Sequence, residues 1–449
     1  MKRSAWAVAA GAIGGYAAYR VYRSRQAAKI FSRESIVILG AGFAGLTAAQ
    51  TLARYAGAGL RITVIDRENY HTFTPMLYEV ASCSVLPYDV AVQLRPLVAA
   101  HGVEFRKAIV TGVDFDQQQV QTDTGPIRYD YLVVALGSTT NFFGNSAAEQ
   151  HALTLKSLED ALSIRNHVID TLEEASRSMN REERRMLLTA VIVGGGATGV
   201  ETAGAMSDIV RHVIAKDYPT LNRSECRIVL VESGPKLLGQ MDQKMASIAL
   251  DQLKSAGVEV WLNSKAKSVT ADRVETEDGR SISARTIIWA AGVRAPGVVA
   301  NLGVAHGKAG SIQVNDFLQI PERPTVFAVG DNAQATDEQR RAPLLAAAAM
   351  QEGRAAARNI VCMLQRRPMA RFRYRNLGNA VSISHGEGVA EIAGKTISGF
   401  SGWLAWRLIH LARIATFRNK AETFLDWSTA FFYDVDTTRL EMEPKKKAA

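Results

Sequence analysis

The chain has 449 residues, of which 47% are hydrophobic and 22% are charged, so its composition is that of a folded globular protein and excludes a disordered one. Its net charge of +9 sits at the two ends: residues 1–33 carry seven basic residues and no acid, residues 400–449 carry eight basic and six acidic residues, and the remainder is neutral. A nucleic-acid-binding protein carries a basic patch on its folded body, so this distribution argues against a nucleic-acid partner and favours an anionic lipid surface.

The sequence holds three cysteines, Cys83, Cys226 and Cys362. No two of them have the spacing of a redox-active dithiol, and they provide no four-ligand zinc site. We therefore predict reduced, mostly buried thiols in a cytoplasmic protein, and no metal site.

The first element is an uncharged run, Ala5–Tyr19, with basic residues on both sides. Its 15 residues are few for a helix that spans a bilayer. The arginines that follow the run oppose translocation, so a secretory signal is disfavoured. We expect a membrane-leaning anchor, with a cleaved targeting segment and a disordered tail as alternatives.

From Ser35 onwards, short runs rich in β-branched residues alternate with stretches of helical pattern. This alternation is typical of βαβ units around a parallel sheet, and it occurs twice. We therefore predict an α/β fold with two Rossmann-like dinucleotide-binding domains. The predicted strands are 36–39, 62–65, 131–136, 191–193, 228–231 and 286–289. The stretch 155–186 is predicted to be helical, with its charge run 181–185 as a solvated helix face or a turn.

The first glycine motif follows the first strand and consists of Gly40, Gly42 and Gly45. In such a motif the first glycine permits a tight turn, the second lets the backbone approach a pyrophosphate, and the third lets helix and strand pack closely. Asp66 lies 21 residues beyond Gly45 at the end of the next strand, where a carboxylate can bind a ribose diol. This combination predicts a dinucleotide site.

The second glycine motif consists of Gly194, Gly196 and Gly199. Here the acid at the end of the next strand is Glu232, 33 residues beyond Gly199, and residues 215–226 provide an insertion that explains the longer spacing. An acid at this position repels a 2′-phosphate, so the motif favours NADH over NADPH.

A third segment, 325–331, is a predicted strand that ends in Gly330 and Asp331. A carboxylate after a glycine at a sheet edge can lie close to a ligand. An ordinary strand-ending turn is the alternative.

The region 398–433 combines aromatic residues with basic ones. The cations interrupt any membrane-spanning pattern, so we predict a pair of interfacial amphipathic helices that dock on a membrane. A core helix or a homodimer helix is the alternative. The residues that recur at helical spacing are Trp403, Leu404, Leu408, Leu411 and Ile414.

Together these motifs resemble those of flavoproteins with two dinucleotide-binding domains, and among them the membrane-associated type II NADH:quinone oxidoreductases. The resemblance extends over nearly the whole chain from about Ser35 to Tyr433 and includes the segment 69–78. It implies that the first glycine motif binds FAD, with Asp66 at the adenosine ribose and Gly330–Asp331 at the ribityl chain.

The same resemblance implies roles for four further residues. Gly137 follows the strand that closes the FAD site, and Gly292 follows its counterpart beside NADH. Glu201 corresponds to an acid near the nicotinamide and the flavin, although it is also a helix N-terminal carboxylate that the helix dipole stabilises. Gln351 matches the second of two glutamines at the flavin and quinone site, and we predict Glu201 and Gln351 as the catalytic residues.

Two positions depart from the family pattern. Ala347 replaces the first of the two glutamines, and Gly386 lies where a basic pair is usual. Neither departure affects the FAD and NADH assignments, but both bear on the acceptor.

The resemblance also implies a domain order. Residues 1–33 form the basic hydrophobic segment, and residues 156–299 the NADH-binding domain. The FAD-binding domain combines 34–155 with 300–380, and residues 381–449 form the membrane-associating region.

We predict that the protein oxidises NADH through FAD and reduces a membrane quinone by two electrons without pumping protons. Disulfide reductases and sulfide:quinone reductases on this scaffold use cysteines, and the required arrangement is missing here. An NADH-dependent reductase of a soluble or protein acceptor is one alternative, and an NADH-sensing flavoprotein without turnover is another. We expect it at the cytoplasmic face of a bacterial inner membrane, or at the mitochondrial inner membrane in a eukaryote.

Overall fold

A computed structural model describes residues 33–57, 59–335, 342–429 and 437–440. The predicted segment Ala5–Tyr19 and the aromatic residues 431–433 lie outside this part of the chain. The fold divides into two compact units, each built from three stretches of sequence. Unit 1 runs to Asn69 and adds Gln93–Ser138 and Ala295–Tyr374, and unit 2 combines Tyr70–Val92, Thr139–Arg294 and the chain from Arg375 onwards.

Unit 1 is built on a six-stranded sheet. Its central strand, Ser35–Leu39, is apolar after Ser35, and residues 36–39 are fully buried because both faces of a doubly covered parallel sheet are inside. The strands run parallel except the edge strand Gln319–Ile320, which pairs antiparallel to its neighbour. In spatial order the strands are Gln319–Ile320, Arg323–Ala328, Tyr131–Val134, Ser35–Leu39, Arg61–Asp66 and Glu104–Lys107.

The helices of unit 1 pack on this sheet. The helix Phe43–Ala53 follows the first glycine motif, and Gly353 of the helix Ala346–Leu364 contacts the backbone of Ala44, where any larger side chain would collide. The remaining elements are the helices Leu94–Ala99 and Gly297–Ala300, the sheet Val110–Asp114, Gln119–Thr122 and Ile127–Arg128, and the strand pair Ile312–Val314 and Ala333–Ala335.

Unit 2 is built on a five-stranded parallel sheet. In spatial order its strands are Leu153–Thr154, Thr286–Trp289, Thr189–Val193, Arg227–Val231 and Val258–Trp261. Two parallel sheets, each led by a glycine motif, confirm the predicted fold class. Further helices of this unit are Leu77–Ala81, Pro87–Val90, Ser146–His151, Ala197–Asp208, with a π-helical extension Ile209–Ile214, and Gln243–Ser255.

The helical stretch predicted over 155–186 is two helices. Leu158–Arg177 begins with a capping box in which Ser157 and Asp160 bond each other's backbone N–H groups. The chain then leaves the helix, and the Asn180 side chain caps a new helix, Arg181–Leu187, by accepting from two backbone N–H groups. The predicted helical character of the segment is confirmed, and the charge run 181–185 lies on the second, largely exposed helix. Apolar spacing alone does not reveal the cap that divides the segment.

The C-terminal part of unit 2 contains a three-stranded antiparallel sheet and two helices. The sheet is formed by Asn379–Ser384, Glu387–Ile392 and Lys395–Ser398. We call Phe400–Arg413 the first C-terminal helix and Phe417–Thr429 the second C-terminal helix. The smaller sheets of unit 2 are Ala266–Val269 with Arg273–Thr276 and Ser281–Ser283, and Thr139–Thr140 with Val293–Arg294.

The unit boundaries differ from the predicted domain limits in several places. Residues 70–92 and 139–155, predicted within the first part of the FAD-binding domain, belong to unit 2, and residues 295–299, predicted in the NADH-binding domain, belong to unit 1. Residues 375–380, predicted in the second part of the FAD-binding domain, and the chain from 381 onwards, predicted as a separate region, also belong to unit 2. The physical reason is close packing: a Cβ on Gly204 of the helix Ala197–Asp208 would overlap the carbonyl oxygen of Ile383. The assignment of cofactors to domains stays a prediction.

Candidate functional site

The first glycine motif forms a tight turn with an open outer side. Gly40 has a φ of +94°, and a Cβ there would overlap the carbonyl oxygen of Ala135. A Cβ on Gly45 would collide with the carbonyl oxygen of Gly40, whereas a Cβ on Gly42 would meet no atom within 4 Å. The turn therefore leaves room beside Gly42 at the helix N-terminus, which fits a pyrophosphate.

Asp66 braces this turn. One carboxylate oxygen accepts from the Ala41 backbone N–H at 2.6 Å, and the other accepts from the Glu68 N–H at 2.9 Å. Each carboxylate oxygen has two lone pairs, so acceptor capacity remains for a ribose hydroxyl. The structure brings Asp66 to the glycine turn, and its role in ribose binding stays a prediction.

The segment around Gly330 and Asp331 lies against Gly137 and Ser138. Asp331 accepts from the Ser138 hydroxyl at 2.7 Å, and Asn332 accepts from the Gly137 N–H at 3.0 Å. Asn332 is fully buried, and its amide donates to a backbone oxygen of the neighbouring strand at 3.1 Å. Three predicted residues therefore meet, together with a serine and an asparagine that sequence reasoning missed although each is adjacent to a predicted residue.

Glu352 is a further residue that sequence reasoning missed. Its buried carboxylate accepts from the Gly330 N–H at 2.5 Å. Burial, followed by the negative charge of Asp331, raises the pKa of Glu352 to about 8. The only signal in the sequence was its position next to Gln351. The structure shows that its side chain reaches Gly330.

Gln351 and Ala347 lie in the first turns of the helix Ala346–Leu364. Both are partly buried, and they are four residues apart on one helix face. The catalytic role assigned to Gln351 stays a prediction.

The second glycine motif repeats the geometry of the first. Gly194 has a φ of +113°, and a Cβ on Gly199 would overlap the Gly194 carbonyl oxygen. A Cβ on Gly196 would meet nothing within 4 Å, so this turn also has an open side. It fits a second pyrophosphate at the N-terminus of the helix Ala197–Asp208.

Glu232 closes the second turn from the end of its strand. Its carboxylate accepts from the Gly195 N–H at 2.6 Å and from the Gly234 N–H at 2.5 Å. A cavity of about 590 Å³, which is in the usual range for small-molecule sites, begins here and extends to Lys265 and Trp289.

Gly292 lies beside this cavity, against the ring of Phe143. The Phe143 ring occupies the space where a side chain at 292 would stand, and Gly292 has a φ of +71°. The Trp289 indole is fixed by bonds to the backbone oxygens of Asn141 and Ala291, at 3.0 and 2.9 Å. Sequence reasoning found Gly292 and missed Phe143, whose only signal in the sequence is that it forms an aromatic pair with Phe142.

Glu201 is buried in unit 2 on the helix Ala197–Asp208. Its Oε1 accepts from the Trp406 indole Nε1 at 3.0 Å and from the Ser382 N–H at 3.4 Å. Burial raises the pKa of Glu201 well above its usual range, and the charge of Glu79 adds to the increase. Burial therefore favours the protonated form of Glu201, which is the form that a proton donor needs.

A second buried acid, Glu79, lies near the first. The Trp427 indole donates to Glu79 at 2.9 Å, and the Arg407 guanidinium lies 3.5 Å from its other oxygen. Arg407 is held between the rings of Trp403 and Trp427, at 4.2 and 4.3 Å from the ring centroids. Sequence reasoning missed this cluster because its members lie on three separate elements.

The first C-terminal helix has two different faces, which corrects the single apolar stripe of the sequence analysis. Trp403, Trp406 and Ile414 are buried, whereas Leu404 and Leu408 are exposed. Neighbouring residues on a helix are rotated by about 100° about its axis, so Trp403 can lie on the buried face while Leu404 lies on the exposed face.

Exposed apolar side chains cover the outer side of both C-terminal helices. Among the described helices, none is long and apolar enough to cross a bilayer. The exposed residues are Phe400, Leu404 and Leu408 of the first helix, Phe417, Phe424 and Leu425 of the second, and Leu86 and Tyr88 before and within Pro87–Val90. We call these eight residues the outer apolar face.

The departure at Gly386 has a local explanation. Residues 385 and 386 form the turn between the strands Asn379–Ser384 and Glu387–Ile392, and Gly386 has a φ of +75°. A glycine adopts this conformation without strain, whereas a basic side chain would not. The His385 N–H donates to Asp208 at 2.8 Å.

Comparisons with known proteins agree with this geometry. The model of the family described as pyridine nucleotide-disulphide oxidoreductase matches residues 34–353. The type II NADH:quinone oxidoreductase Ndh of Mycobacterium tuberculosis is 32% identical over 89% of this chain and 88% of its own. The type II NADH:quinone oxidoreductase of Haemophilus influenzae is 28% identical over 81% of this chain and 88% of its own.

Solved structures support the fold. The NDH2 structure from Plasmodium falciparum in complex with NADH has a TM-score of 0.82, with 18% identity over 90% of this chain and all of that one. A sulfide:quinone oxidoreductase from Aquifex aeolicus has a TM-score of 0.70, with 21% identity over 87% of this chain and 92% of that one.

Proposed function

The chain belongs to the pyridine nucleotide-disulphide oxidoreductases, and within them to the type II NADH:quinone oxidoreductases, and on this basis we propose that it oxidises NADH and reduces a quinone without pumping protons. FAD and NADH are its cofactor and its reductant. Bound FAD supplies a two-electron carrier that takes a hydride from NADH and passes the electrons to the acceptor. The family and the activity predicted from the sequence are confirmed.

The observation that carries the proposal is the pair of glycine turns, each open at the helix N-terminus and each closed by an acid. The turn with Gly42 and Asp66 would hold FAD, and Ser138 and Asp331 line the sheet edge where its ribityl chain would bind. The donor set, backbone N–H groups at a helix N-terminus with a carboxylate for the ribose, is the chemistry that a dinucleotide needs.

Unit 2 holds NADH at the second turn. Glu232 is already bonded to two backbone N–H groups, so its charge is fixed where the adenosine ribose lies. A 2′-phosphate there would meet this carboxylate, so the site selects NADH over NADPH. Phe143 and Trp289 line the same cavity as Glu232. Gly292 lies against the Phe143 ring.

The reaction needs one proton from the protein or the solvent. NADH, one proton and a quinone give NAD⁺ and a quinol, because the hydride carries two electrons and only one of the two protons. Burial favours the protonated form of Glu201, and Glu201 is the catalytic acid of the proposal. Gln351 positions the acceptor through its amide.

The electrons leave to a quinone and not to a thiol. Cys83 is buried, and Cys226 and Cys362 are partly buried; none of the three is in a disulfide. Cys83 and Cys226 lie in unit 2, and Cys362 lies in unit 1. No two of the three have the sequence spacing of a redox-active dithiol.

The outer apolar face docks on a lipid bilayer. Eight exposed apolar residues stand beside the basic residues Arg413, Arg418 and Lys420, and this combination is typical of interfacial helices on anionic lipid. The enzyme works at the cytoplasmic face of a bacterial inner membrane, or at the mitochondrial inner membrane in a eukaryote.

We further propose that the protein forms a homodimer. Sedimentation of the detergent-solubilised protein tests this proposal.

The test of function is a two-step measurement on the purified full chain. The protein should be yellow, NADH should bleach its flavin absorbance under anaerobic conditions, and a quinone should restore it. A flavin that NADH does not bleach would contradict the proposal. Bleaching without reoxidation by any quinone, but with rapid reoxidation by a soluble electron acceptor, would assign a different acceptor.

A further inference from the structure

The first C-terminal helix contacts the proposed catalytic acid through one side chain. Trp406 is fully buried, and its indole Nε1 donates to Glu201 Oε1 at 3.0 Å. We propose that Trp406 is a positioning residue that fixes the proton of Glu201 on Oε2, so that the acid faces its proton acceptor in one orientation. The inference rests on the proposed role of Glu201 as the proton donor.

The direction of the Trp406 donor is fixed by its neighbours. Its ring stacks on the His410 ring, with centroids 4.1 Å apart, and the Tyr78 ring meets it edge-on at 5.8 Å. His410 Nδ1 lies 2.8 Å from the backbone oxygen of Trp406, which ties the stack to the helix. An indole has a single N–H, so a ring held on two sides has one donor direction.

The charges around the two buried acids place the proton on Glu201. Arg407 contacts Glu79, whereas the donors to Glu201 Oε1 are the neutral Trp406 indole and a backbone N–H. A cation stabilises the ionised form of the acid it contacts, so Glu79 takes the charge and Glu201 keeps the proton.

The other titratable groups near Glu201 are neutral at physiological pH. Burial lowers the pKa of His410, on the first C-terminal helix, to about 4. Burial and the charge of Glu79 raise the pKa of Tyr78, on the helix Leu77–Ala81, well above its usual range. Glu79 has Arg407 as its cation, whereas the burial of Glu201 among neutral donors favours its neutral form.

A neutral carboxylic acid has one carbonyl oxygen and one hydroxyl oxygen. The carbonyl oxygen is the better acceptor, and the Trp406 and Ser382 N–H groups both point at Oε1. Oε1 is therefore the carbonyl oxygen, and the O–H group is on Oε2. Without the indole N–H, only the longer 3.4 Å bond from the Ser382 N–H distinguishes the two oxygens of Glu201, so the proton is directed less strongly.

The direct test is infrared spectroscopy of the full-length flavoprotein. The carbonyl stretch of a protonated Glu201 should be present in the wild type and missing in Glu201→Gln. In Trp406→Phe, which keeps an aromatic ring but removes the donor, this band should move to higher wavenumber because the carbonyl oxygen loses a hydrogen bond. Trp261→Phe is the control, since the Trp261 ring packs against Arg280 on the strand Val258–Trp261, outside the cluster of buried acids, and it should leave the band in place.

A band that does not move in Trp406→Phe, or that is missing from the wild type, overturns the proposal. If Trp406→Phe does not fold, 3-benzothienylalanine at position 406 removes the N–H while keeping the shape of the indole, and the same shift is expected.

Kinetics give a second readout. In Trp406→Phe the maximal rate of quinone reduction should fall about tenfold, the size expected for one hydrogen bond to a charged or reacting group, while NADH should still bleach the flavin at the wild-type rate. The alkaline limb of the pH profile should move to higher pH, because the Trp406 hydrogen bond lowers the pKa of Glu201. An unchanged rate and profile would overturn the inference alone, whereas a wild type that reduces no quinone would overturn the proposed function.

Discussion

Gly402 of the first C-terminal helix lies directly against Gly388 of the strand Glu387–Ile392, so closely that a Cβ on Gly402 would overlap the Gly388 carbonyl oxygen. A Cβ on Gly388 would in turn stand 2.8 Å from the backbone of Trp403. This backbone contact seats the helix on unit 2 and brings Trp406 to Glu201. The helix that carries three of the eight residues of the outer apolar face is therefore also part of the buried acid site.

We expect Gly402→Ala to destabilise the protein by about 2 kcal/mol, the usual cost of forcing one methyl group into a closed contact. Urea unfolding monitored by tryptophan fluorescence measures this change. The matched control is Gly239→Ala in the same unit, where a Cβ would meet nothing within 4 Å and stability should be unchanged. Equal stability of the two variants would contradict the packing argument.

Arg407→Met should destabilise the protein by about 3 kcal/mol, because it leaves the buried Glu79 carboxylate without its cation. Arg407 lowers the pKa of Glu79, so its loss raises that pKa further above the unfolded value. A carboxyl group with a raised folded-state pKa loses stability as pH rises above its unfolded pKa. The difference in unfolding free energy between the wild type and Arg407→Met should therefore shrink as the pH falls toward 4.5 and grow at higher pH.

Chemical denaturation of Arg407→Met at several pH values checks this sign. The exposed Arg418→Met serves as the control and should cost little at any pH, since Arg418 pairs only with Glu422 on the surface among the described contacts. A deficit in Arg407→Met that does not depend on pH would mean that the lost contact is packing alone.

Glu352→Gln should change how stability depends on pH. The folded pKa of Glu352 is about 8 against an ordinary value of 4.5, so the wild type loses stability as pH rises between these two values. Gln keeps an acceptor for the Gly330 N–H but has no charge to bury. We expect the free energy of unfolding of the variant to increase relative to that of the wild type by at most about 1.4 kcal/mol per pH unit in this range.

Thermal unfolding of Glu352→Gln at pH 5 and at pH 8, with FAD in excess, measures the gain. The exposed Glu322→Gln, in the same unit, should follow the wild type at both pH values. Parallel curves for wild type and Glu352→Gln would show that Glu352 is ionised throughout.

Glu232→Gln should raise the ratio of kcat/KM for NADPH to that for NADH by about tenfold or more, because it removes a negative charge from the position of a 2′-phosphate. Steady-state assays with both nucleotides and a water-soluble quinone give the ratio. Glu277→Gln is the control, since Glu277 lines the same cavity but pairs with Lys265. A ratio that changes equally in both variants would place the 2′-hydroxyl elsewhere.

Leu408→Ser and Phe417→Ser should each weaken binding to anionic lipid vesicles by about tenfold, since each removes one large apolar side chain from the outer apolar face. Vesicle co-sedimentation measures binding, and flavin reduction by NADH should be unchanged. Met179→Ser, which alters an exposed apolar residue outside this face, is the control. Equal binding by all three variants would contradict the docking surface.

The sequence by itself determined both glycine turns, the strands that lead into them and the acids that close them. It could do so because each motif is local: a strand, a turn with a required positive φ and a helix N-terminus are encoded within about 30 residues. Gly40, Gly194, Asp66 and Glu232 all take the places that their spacing predicts.

Only the tertiary structure decided the partners of the buried acids and the two faces of the first C-terminal helix. Trp406 meets Glu201 across 205 residues of sequence, and Trp427 meets Glu79 across 348. Periodicity gives the spacing of apolar residues on a helix, but which side of the helix is buried depends on the surface that receives it. Here that surface is a strand with a glycine at 388, and its backbone contact with Gly402 turns Trp406 inward and leaves Leu404 and Leu408 outside.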